Sequence, residues 1–139
     1  MNLNIKGFLA ATTTYNSVSR TLQYISDIPP HPTTYTFPLE FPTTHAEIIS
    51  SWRKYIKSIP RATPSDVNAN KPQNIVAVID SIASNPGVLL PWREMVQICK
   101  EEGIWTVIDA AHSIGQELNM EVEKSGCDFW VSVSPSGYL

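Results

Sequence analysis

The chain has 139 residues, 42% of them hydrophobic, and a formal net charge of −3, a composition typical of one globular domain and not of a disordered chain. Lysine and arginine do not cluster, which argues against a nucleic-acid or acidic-membrane partner. No apolar run approaches the roughly 20 residues that cross a bilayer, and no signal-peptide core is visible, so we expect a cytoplasmic protein.

The first half of the chain is predicted to be rich in loops, because its prolines cluster between Pro29 and Pro72. A strand is expected over residues 4–11. A helix should follow, since three apolar residues share one face at helical spacing: Val18, Leu22 and Ile25. It should end before Pro29.

Two further elements and a loop complete this half. Alternating apolar residues over 35–41 predict a strand, and Pro38 favours an edge position for it. Thr44 and Glu47 have the spacing of a capping box, and the apolar stripe after them predicts a helix. That helix should end before the polar segment 60–73, where we expect a surface loop.

The second half is more regular. The β-branched runs 75–79 and 104–108 are typical of strands buried in a parallel sheet, and a third strand is expected over 129–133. Between the first two, a helix should begin at Pro91 and end at Gly103. Strand, helix and strand form a βαβ unit, so the predicted fold class is α/β, a mostly parallel sheet with flanking helices.

Two carboxylates follow these strands, Asp80 after the first and Asp109 after the second. Open parallel sheets bind ligands beyond the carboxyl ends of their strands, which makes both residues candidates for a binding site. Two plainer interpretations stay open: Asp80 caps the following turn, and Asp109 accepts hydrogen bonds from loop amides. Small residues flank Asp109 and leave room for a flat ligand, and His112 follows on the same loop.

Metal binding is not expected. Asp109 and His112 could form half of a metal site, but no third ligand stands at a suitable spacing. Cys99 and Cys127 lack CxxC spacing, and we interpret them as small buried thiols. The motifs GxGxxG and GxxxxGK[ST] do not follow any strand, which makes an unrelated nucleotide-binding α/β fold a weak alternative.

The stretch from Gly103 to Gln116 resembles the cofactor-binding strand of the class V aminotransferases, a family of enzymes dependent on pyridoxal 5′-phosphate (PLP). The segments 80–92 and 128–132 stand in the family's order and at similar distances. The resemblance is strongest over 75–133. It identifies residues 1–139 as an incomplete large domain of a PLP-dependent transferase of fold type I, similar to fungal isopenicillin-N-epimerase-like proteins and C–S lyases.

This resemblance implies roles for three residues. Asp109 matches the carboxylate that pairs with the pyridine nitrogen of PLP, and His112 matches the residue beside the 3-oxygen of the ring. Ser84 lies on a loop that in relatives approaches the cofactor or the substrate carboxylate, although an Asn-Pro-Gly turn explains that segment equally well. The substrates of intact relatives are amino acids, used in lyase, epimerase or aminotransferase reactions.

The family also needs a lysine that bonds covalently to the cofactor, and Ser136 stands at its expected position. The usual phosphate-binding segment is not visible either, so the binding of PLP by this chain alone is left open. We therefore predict a fragment or degenerate member of the family, from a truncated gene product or a short paralogue, that is not catalytic as written. The alternative is a non-catalytic subunit that pairs with itself or with a full-length relative as a homo- or hetero-oligomer.

Overall fold

The structure, a computed structural model, describes residues 5–60 and 74–133. Within these ranges the elements are, in chain order, β1 (Gly7–Ala11), α1 (Asn16–Ser26), β2 (Thr33–Phe37), α2 (His45–Ser58), β3 (Ile75–Asp80), β4 (Ile82–Ala83), β5 (Val88–Leu89), α3 (Trp92–Glu101), β6 (Trp105–Asp109), α4 (Val122–Ser125) and β7 (Phe129–Val131).

Five of the strands form one parallel sheet in the order β2-β1-β3-β6-β7, and β4 pairs with β5 in a separate antiparallel hairpin. This arrangement confirms the predicted α/β class with a mostly parallel sheet. From β1 the chain first moves outward to β2 and then returns to β3 on the other side of β1. The strand order therefore reverses between β1 and β3, which is where open α/β sheets usually bind their ligands.

Helices cover both faces of the sheet, but unequally. The face that carries α2 and α3 holds the larger core, in which Trp52 and Trp92 are almost fully buried against alternate residues of β1, β3 and β6. The opposite face is covered by α1, whose Leu22 packs with Phe8, Ala10 and Val78. The alternation of side chains along each strand thus separates a thick apolar layer from a thin one.

Local sequence signals explain several element boundaries. Thr44 and Glu47 form the predicted capping box: the Thr44 hydroxyl accepts from the Glu47 backbone N–H, and the Glu47 carboxylate accepts from the Thr44 backbone N–H. Gly103 adopts a φ of 68°, a left-handed conformation that lets the chain turn from α3 into β6.

Some strands differ in extent from the prediction. The strand expected over 35–41 covers Thr33–Phe37, because its partner β1 ends opposite Phe37 and Pro38 has no N–H to donate. It is an edge strand, as predicted. The strand expected over 129–133 ends at Val131, which pairs with the last residue of β6.

A side-chain latch ties the start of β7 to β6. The Oδ2 atom of Asp128 accepts from the backbone N–H of Thr106 at 2.7 Å and from its hydroxyl at 3.0 Å. The Thr106 Oγ1 atom in turn accepts from the Asp128 backbone N–H at 3.1 Å. Because Thr106 is fully buried, this latch fixes how β7 enters the sheet.

Other parts of the prediction were incomplete or cannot be compared. The β4–β5 hairpin and the four-residue α4 were not predicted, since both are shorter than the periodicity that identifies an element. Most of the predicted loop 60–73 lies outside the described residues, as does residue 4 of the strand predicted over 4–11. In the described ranges no helix is long and apolar enough to cross a membrane.

Candidate functional site

The two candidate carboxylates lie side by side. Asp80 ends β3, Asp109 ends β6, and the two residues are register partners in the parallel pair. Register partners project to the same side of a sheet, and alternation from Val78 and Val107 places both on the face that α1 covers. The sheet therefore brings two carboxylates together at its carboxyl edge, beside the point where the strand order reverses.

Asp80 is buried, with 5% of its surface exposed, and its partner comes from the other side of the reversal point. The Thr14 hydroxyl donates to Asp80 Oδ2 at 3.0 Å, and the same Thr14 oxygen accepts from the Ala11 backbone N–H at 3.2 Å. The carboxylate is thus held by Thr14 rather than by the turn that follows it, which replaces the capping interpretation.

The surroundings of Asp80 raise its pKa from 3.8 to about 6. Burial is the largest cause, since it disfavours the charged form, and the neighbouring Asp109 carboxylate acts in the same direction. The hydrogen bond from Thr14 and the nearby His112 oppose the rise. Asp80 is therefore a carboxyl group that changes charge close to neutral pH.

Asp109 is half-buried and organises the loop that follows it. Its Oδ1 atom accepts from the Ala111 backbone N–H at 3.1 Å, so the interpretation that it bonds a loop amide is observed. Its backbone carbonyl accepts from the Ser81 N–H at 2.9 Å. The loop bond uses one of the two carboxylate oxygens, and it orients the carboxylate without excluding a ligand from the other.

The other two predicted residues differ in position. His112 is exposed on the loop after β6 and lies near enough to Asp80 to affect its pKa. Ser84 is exposed on the turn of the β4–β5 hairpin, and in the described part of the chain no hydrogen bond joins it to Asp109 or His112. Asp109 and His112 thus both lie close enough to act on Asp80, and the role of Ser84 stays a prediction.

A buried glutamate missed by the sequence analysis anchors the loop that carries His112. Glu117 Oε1 accepts from the Trp92 indole N–H at 2.9 Å and from Arg93 Nη1 at 2.7 Å, and Arg93 also donates to the Met120 carbonyl at 2.8 Å. These bonds fasten the loop to the start of α3. The partners are more than 20 residues apart, and no local pattern in the sequence connects them.

Comparisons with known proteins bear on the family and the fold of this chain. Residues 61–134 match the family model described as aminotransferase class-V. An L-cysteine desulfhydrase from Arabidopsis thaliana is 38% identical over 121 residues, which is 85% of this chain and 24% of the relative. The L-cysteine desulfhydrase-like protein lolT1 from Epichloe uncinata is 27% identical over 128 residues, which is 88% of this chain and 26% of the relative.

Among solved structures, the cystine C–S lyase C-DES, in complex with its product cysteine persulfide, superposes with a TM-score of 0.62 at 16% identity. It covers 92% of this chain, which spans 30% of the lyase. At that identity the likeness shows the fold, that of a PLP-dependent enzyme of fold type I. This chain spans about a quarter of the length of the two curated relatives, and on the strength of the family match and the shared fold it belongs to the class V aminotransferase family.

Proposed function

We propose that this chain supplies the part of a PLP site that holds the cofactor ring, with Asp109 facing the pyridine nitrogen. The observation that carries the proposal is the placement of Asp109 beside Asp80 at the carboxyl edge of the parallel sheet, next to the reversal in strand order. A carboxylate there keeps a proton on a ring nitrogen, because its negative charge favours the positively charged form of the ring.

The residues present fit the ring end of the cofactor. Ala110 and Ala111 have small side chains and leave room for a flat ring beside Asp109. The exposed His112 side chain can donate to an oxygen on the ring. The hydroxyl of Thr13, just after β1, is buried and has no hydrogen-bond partner among the described residues, so a polar ligand at this edge would satisfy it. When bound, PLP acts as an electron sink for reactions at the α-carbon of an amino acid.

For the whole protein we propose an amino-acid substrate that contains sulfur, with cleavage of a C–S bond. The support comes from the relatives, which include L-cysteine desulfhydrases and a cystine C–S lyase. For the 139-residue chain on its own we propose that turnover does not occur. Ser136, outside the described residues, stands where the family resemblance expects the lysine, and a hydroxyl cannot form an imine.

Ring binding can be tested without covalent chemistry by using pyridoxine 5′-phosphate, which has the ring nitrogen and phosphate but no aldehyde. Quenching of tryptophan fluorescence should report binding by the native chain, and Asp109→Asn should weaken it by roughly tenfold, the loss of one charged hydrogen bond. Asp27→Asn is the matched control, because Asp27 is an exposed aspartate at the end of α1. Equal binding by all three proteins would remove Asp109 from the site.

The lysine position can be tested separately by adding PLP, reducing with borohydride and mapping the product by mass spectrometry. We expect no site-specific adduct in the native chain and a new adduct at the substituted residue in Ser136→Lys. A single adduct with turnover of cysteine by the native chain would contradict the proposal that Ser136 prevents catalysis.

A second candidate function, a subunit that pairs with another chain, is favoured by β7, which is the last strand of the sheet among the described residues. Phe129 and Val131 are more than half exposed there, and an edge strand of this kind can pair with a neighbouring strand. Native mass spectrometry should then detect a dimer, or a complex with a full-length relative. Val131→Lys should disrupt that complex, whereas Ile28→Lys, at an exposed position on another surface, should not. A monomer that binds no relative would refute this candidate.

A further inference from the structure

Asp80 is not assigned a role by the family resemblance, yet it is the most deeply buried acidic group at the carboxyl edge. Its register partner is Asp109. Neighbouring strands lie about 4.8 Å apart, so two ionised carboxylates at paired positions repel each other strongly when one of them is desolvated. A proton on one of the two groups, or a cation beside them, relieves this repulsion.

The hydrogen bonds around Asp80 hold it in this position. The Thr14 oxygen accepts from the Ala11 N–H, which directs the hydroxyl proton of Thr14 toward Asp80 Oδ2. Thr14 is itself buried. Asp80 is therefore fixed from the β1 side of the sheet, and its carboxylate cannot turn away into solvent to escape Asp109.

The charged groups that face Asp80 are few. From β6 comes Asp109 and from the following loop comes His112. The β1 side contributes the uncharged hydroxyl of Thr14. Two acidic groups thus meet one titratable base, and in the described residues the balance at this edge is negative.

We propose that Asp80 is a positioning residue that acts through Asp109, the two carboxylates working as one unit that favours a cation at this edge. The cation that fits the proposed function is the protonated nitrogen of a pyridine ring, and the inference rests on that function. Thr14 serves as the support that keeps the second carboxylate next to the first.

The titration of Asp80 gives this unit a pH dependence. Its pKa is raised to about 6 by burial and by Asp109. Below that pH Asp80 is neutral and adds no charge to the unit, whereas above it Asp80 adds a second negative charge behind Asp109. Attraction for a ring cation should therefore increase as the pH rises through 6.

The pair itself is tested in the ligand-free chain by NMR titration with ¹³C-labelled aspartate. We expect the Asp80 midpoint near 6 in the native chain. Asp109→Asn should lower it, because a repelling charge is lost, and Thr14→Val should raise it, because a stabilising hydrogen bond is lost. Asp27→Asn is the control and should not move it. An ordinary midpoint near 4, or one that Asp109→Asn leaves unchanged, would overturn the proposal.

Action on the ring is tested by measuring the affinity for pyridoxine 5′-phosphate at pH 5 and pH 8. Asp80→Asn should weaken binding by roughly three- to tenfold at pH 8, the effect of up to one pKa unit on the ring nitrogen, and change it little at pH 5. A purely structural role would give the same loss at both pH values and would overturn the proposal.

The proposed function and the role of Asp80 can fail separately. If the native chain does not bind pyridoxine 5′-phosphate while Asp80 still titrates near 6 and responds to Asp109→Asn, the carboxylate pair stands and the proposed function is wrong. If the phosphate ester binds but Asp80→Asn has no effect at pH 8, the proposed function stands and the role of Asp80 is wrong.

Discussion

The two faces of the sheet differ in the side chains that they bury. The face covered by α2 and α3 buries two tryptophans and most of the large apolar side chains. The α1 face buries a small cluster around Leu22 and, at its carboxyl end, the carboxylate of Asp80. The thick layer holds most of the buried apolar surface, and the thin layer holds the two carboxylates of the candidate site.

The largest test of this division is Trp52→Ala on the thick side. Trp52 is fully buried, meets Phe37 edge to face at a centroid distance of 5.1 Å, and donates its indole N–H to the Met95 carbonyl. Removing the ring should lower the free energy of unfolding by about 3–5 kcal/mol. Urea denaturation followed by circular dichroism measures the loss. Trp52→Phe, which keeps an aromatic ring, should lose clearly less, and equal losses would show that ring packing is not the cause.

A smaller effect is expected from Asp80 on the thin side, and it depends on pH. The pKa of Asp80 is raised in the folded chain from 3.8 to about 6, so folding favours the protonated group. The stability contributed by this group is complete below pH 3.8 and is lost as the pH rises through 6, by about 3 kcal/mol for a shift of roughly two pKa units.

Asp80→Asn should abolish this dependence. Urea midpoints measured between pH 4 and pH 8 should show the variant gaining stability relative to the native chain as the pH rises. All other ionisable groups are the same in the two proteins, so the difference between the two profiles isolates Asp80. Parallel pH profiles for the two proteins would show that Asp80 has an ordinary pKa.

The smallest effect should come from the apolar part of the thin side. Leu22→Ala removes the side chain with which α1 packs on Phe8, Ala10 and Val78, and should cost about 2 kcal/mol, the low end for a leucine in so small a cluster. Tyr24→Ala, at a position 69% exposed on the same helix, is the control and should cost little. A loss as large as that of Trp52→Ala would contradict the division between the faces.

The sequence predicted what depends on local pattern. The runs at 75–79 and 104–108 indicated buried parallel strands, and Thr44 with Glu47 indicated a helix start that the structure confirms. Asp109 could be placed at the carboxyl edge because a strand end is visible in a sequence. Its role toward PLP, like those of His112 and Ser84, stays a prediction.

What the sequence could not predict depends on contacts between distant residues. Thr14 and Asp80 are 66 residues apart, and Glu117 meets Trp92 across 25 residues. Neither pair can be predicted from periodicity, because each contact depends on the order of the strands in the sheet and on the path of the loops. Thr14 stands three residues after the first predicted strand, but nothing in the sequence shows that it meets Asp80 at the end of another strand.

The latch between Asp128 and Thr106 has a consequence for the register of β7. Since the position of a three-residue strand is set by bonds at its entrance, its pairing does not depend on the side chains at Phe129 and Val131. A change of one residue in the register of β7 against β6 would break these hydrogen bonds and would also move each β7 side chain to the opposite face of the sheet. The bonds at the start of β7 therefore also determine which residue of β7 stands opposite Asp109, namely Val131.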